Sequence, residues 1–373
     1  MKKLNLLKSL FLLCALIVGS SSVWASSVFE PVTSTTQLVA GQKYLIVNRY
    51  KTKAMPSPEW YSLGDYGGKV YNSEEITASG DIDDFATLCI TDAKDSHVLT
   101  LGGSAGHWTL YDATESKYLA LTKDANEIQQ ANDATANTAE WTITIDASNL
   151  VTIKNVGFTT NNRQIEGNQG SSRFACYKAQ QSGNATYLFV EKTVPATITA
   201  AEYATFYTPA ALDFSATGIT AYTVTVGATS ASLNEITSGK VPANTPVLLY
   251  KAGADGTAIN VPVIASAEAV GANDLHVSNG GEPGANAYVL ANKTHGVGFY
   301  KWNGGSLTSG KVYLQAATPA HEFIGFDGET TGINAIDNGQ LTIDNSVYDL
   351  MGRKVVQPTK GLYIVNGKKV IIK

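Results

Sequence analysis

Short runs of apolar and β-branched residues, separated by turn residues, recur along the first half of the chain. Clear examples lie at residues 44–48, 85–92 and 141–146. Strands spaced about eight to twelve residues apart are typical of β-sandwiches and β-barrels. Residues 124–138 are the one helical candidate, and their Asn and Asp content favours a loop. The pattern therefore predicts one all-β domain over residues 26–192.

A weak internal repetition refines this prediction. The dipeptide Tyr-Leu, followed by apolar residues, occurs at Tyr44, Tyr118 and Tyr187. A strand that ends in an Asp-Ala turn is predicted at 85–93 and again at 140–147. Repetition of one strand-rich unit is expected in a β-trefoil. We therefore predict that residues 26–192 form a β-trefoil-like or a β-barrel domain.

Two further β-regions follow. Residues 193–328 begin at the stiff dipeptide Val194-Pro195 and alternate apolar with polar positions, which predicts a second, β-sandwich-like domain. Residues 329–373 contain Asn366-Gly367, a type I′ hairpin dipeptide, between two apolar runs. They are predicted to form a short C-terminal β-meander.

The first 25 residues have the organisation of a secretory signal peptide. Lys2, Lys3 and Lys8 precede an apolar run at 10–18, and small residues lead to a cleavage position before Ser26. The apolar run is shorter than the roughly 20 residues that a membrane-spanning helix needs. We therefore expect an exported mature chain without a transmembrane segment.

Composition and charge narrow the class of protein. Charged residues make up 16% of the chain and Thr occurs 39 times, which favours strands and excludes a disordered chain. Without the three leader lysines the net charge falls from −5 to −8, and without the six cations of residues 350–373 it falls to −14. An acidic body of this kind argues against a nucleic-acid partner.

The C-terminal residues carry a spaced motif. Its positions are Tyr348, Leu350, Gly352, Arg353, Val355, Gly361, Tyr363, Val365 and Lys369. The pattern resembles the C-terminal sorting domain of proteins exported by the type IX (Por) secretion system. This resemblance implies export through the periplasm, recognition by the secretion machinery of the outer membrane, and a secreted or cell-surface location.

The two preceding domains resemble accessory β-domains of the same group of secreted proteins. The matching strings lie at 111–113, 118–119, 141–143 and 174–177 in the first domain, and at 203–206, 241–247, 288–291, 298–300 and 310–314 in the second. No catalytic role follows from this resemblance.

Motifs of known chemistry are weak. Ser104 lies in a G-x-S-x-G sequence, but a nucleophile elbow needs a following helix and the next residues read as a strand, so a hairpin loop is predicted. Residues 305–311 resemble a P-loop, yet Val312 replaces the hydroxyl residue that would hold Mg²⁺. The five histidines lack the spacing of metal ligands. We therefore predict no catalytic residue, metal or cofactor.

Aromatic residues form the strongest candidate for a binding site. Trp60, Tyr61, Tyr66 and Tyr71 lie in or beside a Gly- and Pro-containing stretch that is predicted to be a loop. Flat rings with polar edges suit sugars or partner proteins, and loops on β-scaffolds often carry binding functions. The alternative is a loop folded back so that these rings are buried.

Cys89 and Cys176 remain after cleavage of the leader, either as two small buried apolar side chains or as one disulfide. Together these patterns predict an exported, non-catalytic surface protein that binds glycan or protein ligands through its first domain. The alternatives are a secreted hydrolase with unrecognised catalytic residues and a filament or matrix subunit.

Overall fold

The computed structural model describes residues 26–317 apart from 56, 82–83, 135–136, 159–160, 162 and 228–229, together with residues 322–326, 347–348, 354–355, 360–365 and 368–372. The predicted leader, residues 1–25, lies outside the described residues. Within the described residues there are strands and short 3-10 turns and no α-helix, so the all-β prediction is confirmed. The chain divides into two compact units after Asp327.

Fifteen strands lie before residue 192 in the described part of the chain. They are β1 (Phe29–Pro31), β2 (Lys43–Tyr50), β3 (Glu59–Tyr66), β4 (Tyr71–Glu75), β5 (Ala78–Asp81), β6 (Asp84–Ile90), β7 (Leu99–Ser104), β8 (His107–Asp112), β9 (Lys117–Ala120), β10 (Gln129–Ala131), β11 (Trp141–Ile145), β12 (Val151–Asn155), β13 (Gln164–Asn168), β14 (Arg173–Tyr177) and β15 (Asn184–Glu191). Four 3-10 turns accompany them, at Thr35–Gln37, Asp95–His97, Asn137–Ala139 and Gln169–Ser171.

Strand pairing identifies the fold of this domain. Strand β2 pairs with β15 and β7, β8 pairs with β7 and β11, β11 pairs with β12, and β12 runs beside β15. These six strands close a barrel. Three hairpins, β3–β4, β9–β10 and β13–β14, connect successive barrel strands. A four-strand unit repeated three times in this way is a β-trefoil, one of the two folds that the sequence predicted.

The strand register defines equivalent positions in the three repeats. Equivalent residues are identified by their partners on the neighbouring barrel strand. These pairs are Tyr44 with Val190, Trp108 with Gly103, and Val151 with Ile145. Four residues further along each strand lies a buried polar side chain. These side chains are Asn48, Asp112 and Asn155.

The repetition seen in the sequence does not correspond to this structural repeat. Tyr44 and Tyr187 lie on paired barrel strands, β2 and β15, whereas Tyr118 lies on the hairpin strand β9. The matching Asp-Ala segments fall on β6, which is inserted into the first repeat, and on the barrel strand β11. The similar sequences therefore reflect the shared composition of several strands. They do not mark equivalent positions in the three repeats.

The apolar run of β2 is buried on both sides. Tyr44 and Ile46 point into the barrel core, while Leu45 and Val47 belong to a second cluster on the outer surface of the barrel. This outer cluster is covered by β1 and by the β5–β6 hairpin, which extend the sheet beyond β15. Because successive side chains of a strand face opposite sides, a continuous apolar run requires cover on both faces.

The second domain has two sheets. Its strands are β16 (Thr193–Thr197), β17 (Tyr203–Phe206), β18 (Ala211–Asp213), β19 (Thr220–Val226), β20 (Ser230–Glu235), β21 (Lys240–Val241), β22 (Val247–Tyr250), β23 (Ala258–Ile264), β24 (Leu275–Val277), β25 (Ala287–Lys293), β26 (Gly296–Lys301), β27 (Val312–Gln315) and β28 (Phe323–Phe326). One sheet has the order β16-β23-β18-β21 and the other β17-β22-β19-β20-β28-β26-β25-β27-β24. Leu212 and Val261 of the first sheet pack against Val247 and Leu249 of the second, as in a β-sandwich.

Cys89 and Cys176 are not joined by a disulfide, and they are buried in different cores. Cys176 lies in the barrel core, and Cys89 packs against residues of the second domain. Burial raises the pKa of the Cys176 thiol well above its usual value. The interpretation of both residues as buried apolar side chains is confirmed.

The C-terminal unit contains one four-stranded sheet in its described residues. Its strands are β29 (Val347–Tyr348), β30 (Lys354–Val355), β31 (Gly361–Val365) and β32 (Lys368–Ile372), in the order β30-β29-β31-β32. Most positions of the sorting-like motif lie on these strands. Leu350, Gly352 and Arg353 lie outside the described residues.

Candidate functional site

The four predicted aromatic residues lie on strands and not on a loop. Trp60, Tyr61 and Tyr66 belong to β3, and Tyr71 begins β4. The prediction of a loop here was wrong because β-favouring aromatic residues outweigh the surrounding Gly and Ser, which a hairpin strand with a bulge accommodates. Strand geometry then distributes the four rings over different faces.

Tyr71 is part of the barrel core. Its ring is completely buried, and its hydroxyl donates to Oδ2 of Asp112 at 3.1 Å and accepts from Nε2 of Gln130 at 3.1 Å. Burial raises the pKa of Tyr71 well above its usual value. Tyr66 packs on Tyr71, with ring centroids 5.1 Å apart, and donates to the carbonyl of Gly68. The structure therefore places Tyr71 in the core, where it cannot contact a ligand.

Trp60 and Tyr61 face opposite sides of β3. The Tyr61 hydroxyl donates to Oε2 of Glu59 at 2.5 Å, and this carboxylate raises the pKa of Tyr61 to about 12. Trp60 packs against the outer cluster instead. The four aromatic residues thus do not form one surface, and Trp60 is the ring that lies on the outer face of the barrel.

We use the name outer shelf for four side chains around Trp60: Arg49, Trp60, Phe85 and Tyr187. The ring centroids of Trp60 and Tyr187 are 5.8 Å apart, as are those of Phe85 and Tyr187. The guanidinium carbon of Arg49, which lies directly opposite Trp60 in the register of β2 and β3, is 5.8 Å from the Trp60 ring centroid. Arg49, Trp60 and Phe85 are partly exposed, while Tyr187 is buried beneath them.

Three of the four shelf residues were missed as site residues by the sequence analysis, which predicted only Trp60. Arg49 continues the outward alternation of Leu45 and Val47, so the period of the strand does contain a signal for it. Phe85 is supplied by β6, and no local pattern indicates that this inserted strand lies over β15. Burial raises the pKa of Tyr187, and the positive charge of Arg49 opposes that effect.

Ser104 lies in a β-hairpin, as predicted. It ends β7 and faces His107 at the start of β8. Nδ1 of His107 lies 2.8 Å from Oε2 of Glu140. A strand follows this serine and not the helix of a nucleophile elbow.

Other motifs have structural roles. Residues 305–311 connect β26 to β27, so this sequence lacks the helix of a P-loop. His97 is buried, and its Nε2 lies 3.1 Å from Oε2 of Glu74. Lys94 and His97 lower the pKa of Glu74 to about 2. Across the described part of the chain, no group of three or more His, Cys, Asp or Glu side chains could hold a metal ion.

Comparisons with known proteins complete the description of the chain. No family model and no curated protein matches it. Among solved structures it is similar to an endo-β-galactosidase from Clostridium perfringens that releases GlcNAcα1-4Gal (12% identity, 40% of this chain, 33% of that chain, TM-score 0.30). It is also similar to the designed three-fold symmetric protein ThreeFoil (13% identity, 40% of this chain, 99% of that chain, TM-score 0.28).

A third similar structure is the Polyporus squamosus lectin bound to a human-type influenza-binding epitope (15% identity, 43% of this chain, 51% of that chain, TM-score 0.29). The chain spans about a third of the length of the endo-β-galactosidase. The strand pairing of residues 26–192 defines the β-trefoil. Among the described residues, no helix is long and apolar enough to cross a membrane.

Proposed function

We propose that this protein is an exported, non-catalytic binding protein that recognises glycans through the outer shelf of its first domain. The observation that carries the proposal is the partly exposed Trp60 ring with a guanidinium beside it. The C–H face of a pyranose packs on an aromatic ring, and its hydroxyl groups then meet polar groups at the edge of that ring.

The size of the outer shelf favours a sugar over a protein ligand. A stable protein interface buries about 1,200 Å² or more and uses some twenty residues on each side. The outer shelf offers a much smaller area, made of the partly exposed side chains of Arg49, Trp60 and Phe85. That area matches one or two sugar rings, and its residues sit on paired strands that hold them in place.

A glycan array with residues 26–373 tests this proposal, followed by titration of any glycan that binds. We expect Trp60→Ala to weaken binding by at least about tenfold, because the stacking surface is removed. Trp302→Ala is the matched control, since Trp302 is another partly exposed tryptophan, in the second domain. Thermal unfolding of both variants separates lost binding from lost structure. Equal binding by the two variants, or a silent array, would contradict the proposal.

A secreted hydrolase is the second candidate function. One observation favours it. His107 faces Ser104 across the hairpin, and its Nδ1 contacts the Glu140 carboxylate. A serine, a histidine and a carboxylate in this order are found where a histidine base activates a serine nucleophile. The position of Ser104 in an open hairpin is the argument against it. Turnover of an ester, peptide or glycoside that disappears in Ser104→Ala would establish this alternative and refute the non-catalytic function.

The C-terminal unit supplies the proposed address of the protein. Six of the nine positions of the sorting-like motif lie on strands β29–β32, in a compact unit of their own. We expect deletion of residues 329–373 to leave the chain in the periplasm of its host, measured by fractionation and surface labelling. Continued surface display of the shortened chain would rule out a sorting role.

A further inference from the structure

Arg49 differs from the other arginines that the structure describes. Nε of Arg163 lies 2.5 Å from Oδ1 of Asp124, and Nε of Arg173 donates to the Tyr177 hydroxyl at 3.1 Å. Nε of Arg49 is buried and has no hydrogen-bond partner within the described residues. Its guanidinium also forms no salt bridge with any carboxylate that the structure describes.

The neighbours of Arg49 in the described part of the chain include no salt-bridge partner. The Trp60 ring lies beside it, and Tyr187 interacts with it through its hydroxyl. The charge of Asp146 raises the pKa of Tyr187, but its carboxylate forms no salt bridge with Arg49, and its Oδ1 accepts from the backbone N–H groups of Ser148 and Leu150, at 2.8 and 2.9 Å. A partly buried cation without an anion is costly, and a guanidinium pairs best with a planar carboxylate.

We infer that the outer shelf selects a sugar that carries a carboxylate, with Arg49 as the residue that recognises this group. The inference rests on the proposed function and names the class of its ligand. Trp60 would hold the ring of the sugar and Arg49 its carboxylate. Uronic acids and sialic acids share this chemistry.

The net charge of residues 26–349 restricts the ligand further. Residues 26–349 carry a net charge of −14, which repels a polyanion over long distances. A short oligosaccharide with one carboxylate meets that field with a single charge and places it next to Arg49. The inference therefore concerns single acidic sugars and not polymers of high charge.

Two pairs of ligands test the inference, and each pair differs in one carboxylate. The first is a disaccharide ending in glucuronic acid and its methyl ester, and the second is sialyllactose and its methyl ester. The variants are Arg49→Gln, which removes the charge, and Arg49→Lys, which keeps the charge but removes the planar donor pair. Lys154→Gln is the matched control, because it removes one cation from the outer face of β12. Binding is measured by titration calorimetry with residues 26–373.

We expect the wild-type chain to bind at least one acidic sugar about tenfold or more tightly than its neutral counterpart. Arg49→Gln should reduce that preference to none, because it weakens binding of the acidic ligand more than binding of its neutral counterpart, and thermal unfolding of the variant shows that it is folded. Arg49→Lys should retain part of the preference, and Lys154→Gln all of it. Whichever pair shows the preference identifies the source of the carboxylate.

Equal binding of the acidic and neutral members of both pairs by the wild-type chain would overturn the inference and leave glycan binding intact. An equal loss of both members in Arg49→Gln would also overturn it, because Arg49 would then only support the shelf. Failure of all four ligands, together with a silent glycan array, would overturn the proposed function as well. If a peptide with a free carboxylate binds more tightly than any sugar, the ligand of the outer shelf is a peptide and the inferred sugar class is wrong.

Discussion

Two walls of the same barrel differ in what their outer faces carry. The wall formed by β15 and β2 has Tyr187, Phe189, Leu45 and Val47 on its outer face, all of them buried. At the equivalent positions, the wall formed by β11 and β12 has Thr142, Thr144, Thr152 and Lys154, which are partly or fully exposed. The inner faces of both walls contribute to one core.

The cause of this difference is the extension of the sheet beyond β15 by β1, β6 and β5. Strand β1 pairs with β15, and β6 pairs with β1, so these strands cover one wall and leave the other open. The outer shelf lies at the rim of that cover, where Phe85 of β6 meets Trp60 of β3 and Tyr187 of β15. The proposed binding site therefore comes from the feature that breaks the three-fold repetition.

The largest expected effect concerns Phe189, which is fully buried in the covered wall. Phe189→Ala should lower the free energy of unfolding by about 3–5 kcal/mol, as in a core. Thr144→Ala, at the equivalent exposed position, should change it by less than about 0.5 kcal/mol. Urea unfolding of both variants measures the contrast. Similar losses at the two positions would show that the cover does not make the outer face part of the core.

The next effect distinguishes the third repeat from the other two. Glu166 is buried where the first and second repeats have Gly64 and Ala120. Its carboxyl group accepts from Nε2 of Gln164 at 2.7 Å and from Oγ1 of Thr186 at 3.1 Å, and burial raises its pKa to about 7.

Because the folded chain keeps the Glu166 proton at a pH where the unfolded chain has lost it, stability should fall as the pH rises from about 4.5 to 7. Glu166→Gln has no titrating group at this position and so avoids this loss. The free energy of unfolding of the variant, measured relative to that of the wild type, should therefore be roughly 1–3 kcal/mol higher at pH 8 than at pH 4. Denaturant unfolding at the two pH values measures this. If the pH dependence of stability is unchanged in Glu166→Gln, groups other than Glu166 cause it.

The smallest effect concerns the hairpin of the second repeat. His107 is largely exposed and pairs with Glu140, so His107→Gln should change the free energy of unfolding by less than about 1 kcal/mol. Glycan binding should be unaffected, since the outer shelf belongs to other strands. A loss of binding in this variant would move the site from the covered wall to the second repeat.

Local sequence patterns predicted the class of fold and many of the strands. The apolar runs of β2, β11 and β15 were recognised because alternation and turn residues are local signals. The β3–β4 hairpin was missed because its Gly and Ser residues lower strand propensity, while pairing with β2 and β14 compensates for this. The candidate aromatic residues were found as a group, and only their placement on strands separated Trp60 from Tyr71.

The sequence by itself determined that the chain has an apolar N-terminal run, two acidic β-domains and a basic C-terminal segment with a sorting-like motif, because charge, composition and short-range periodicity are properties of neighbouring residues. Only the tertiary structure decided that Arg49 lies opposite Trp60, that Phe85 lies over Tyr187, and that the β-trefoil repeats begin at positions other than the similar strings. Strand register and sheet order depend on contacts between distant segments. The outer shelf therefore depends on the tertiary contact between the inserted strand β6 and the barrel.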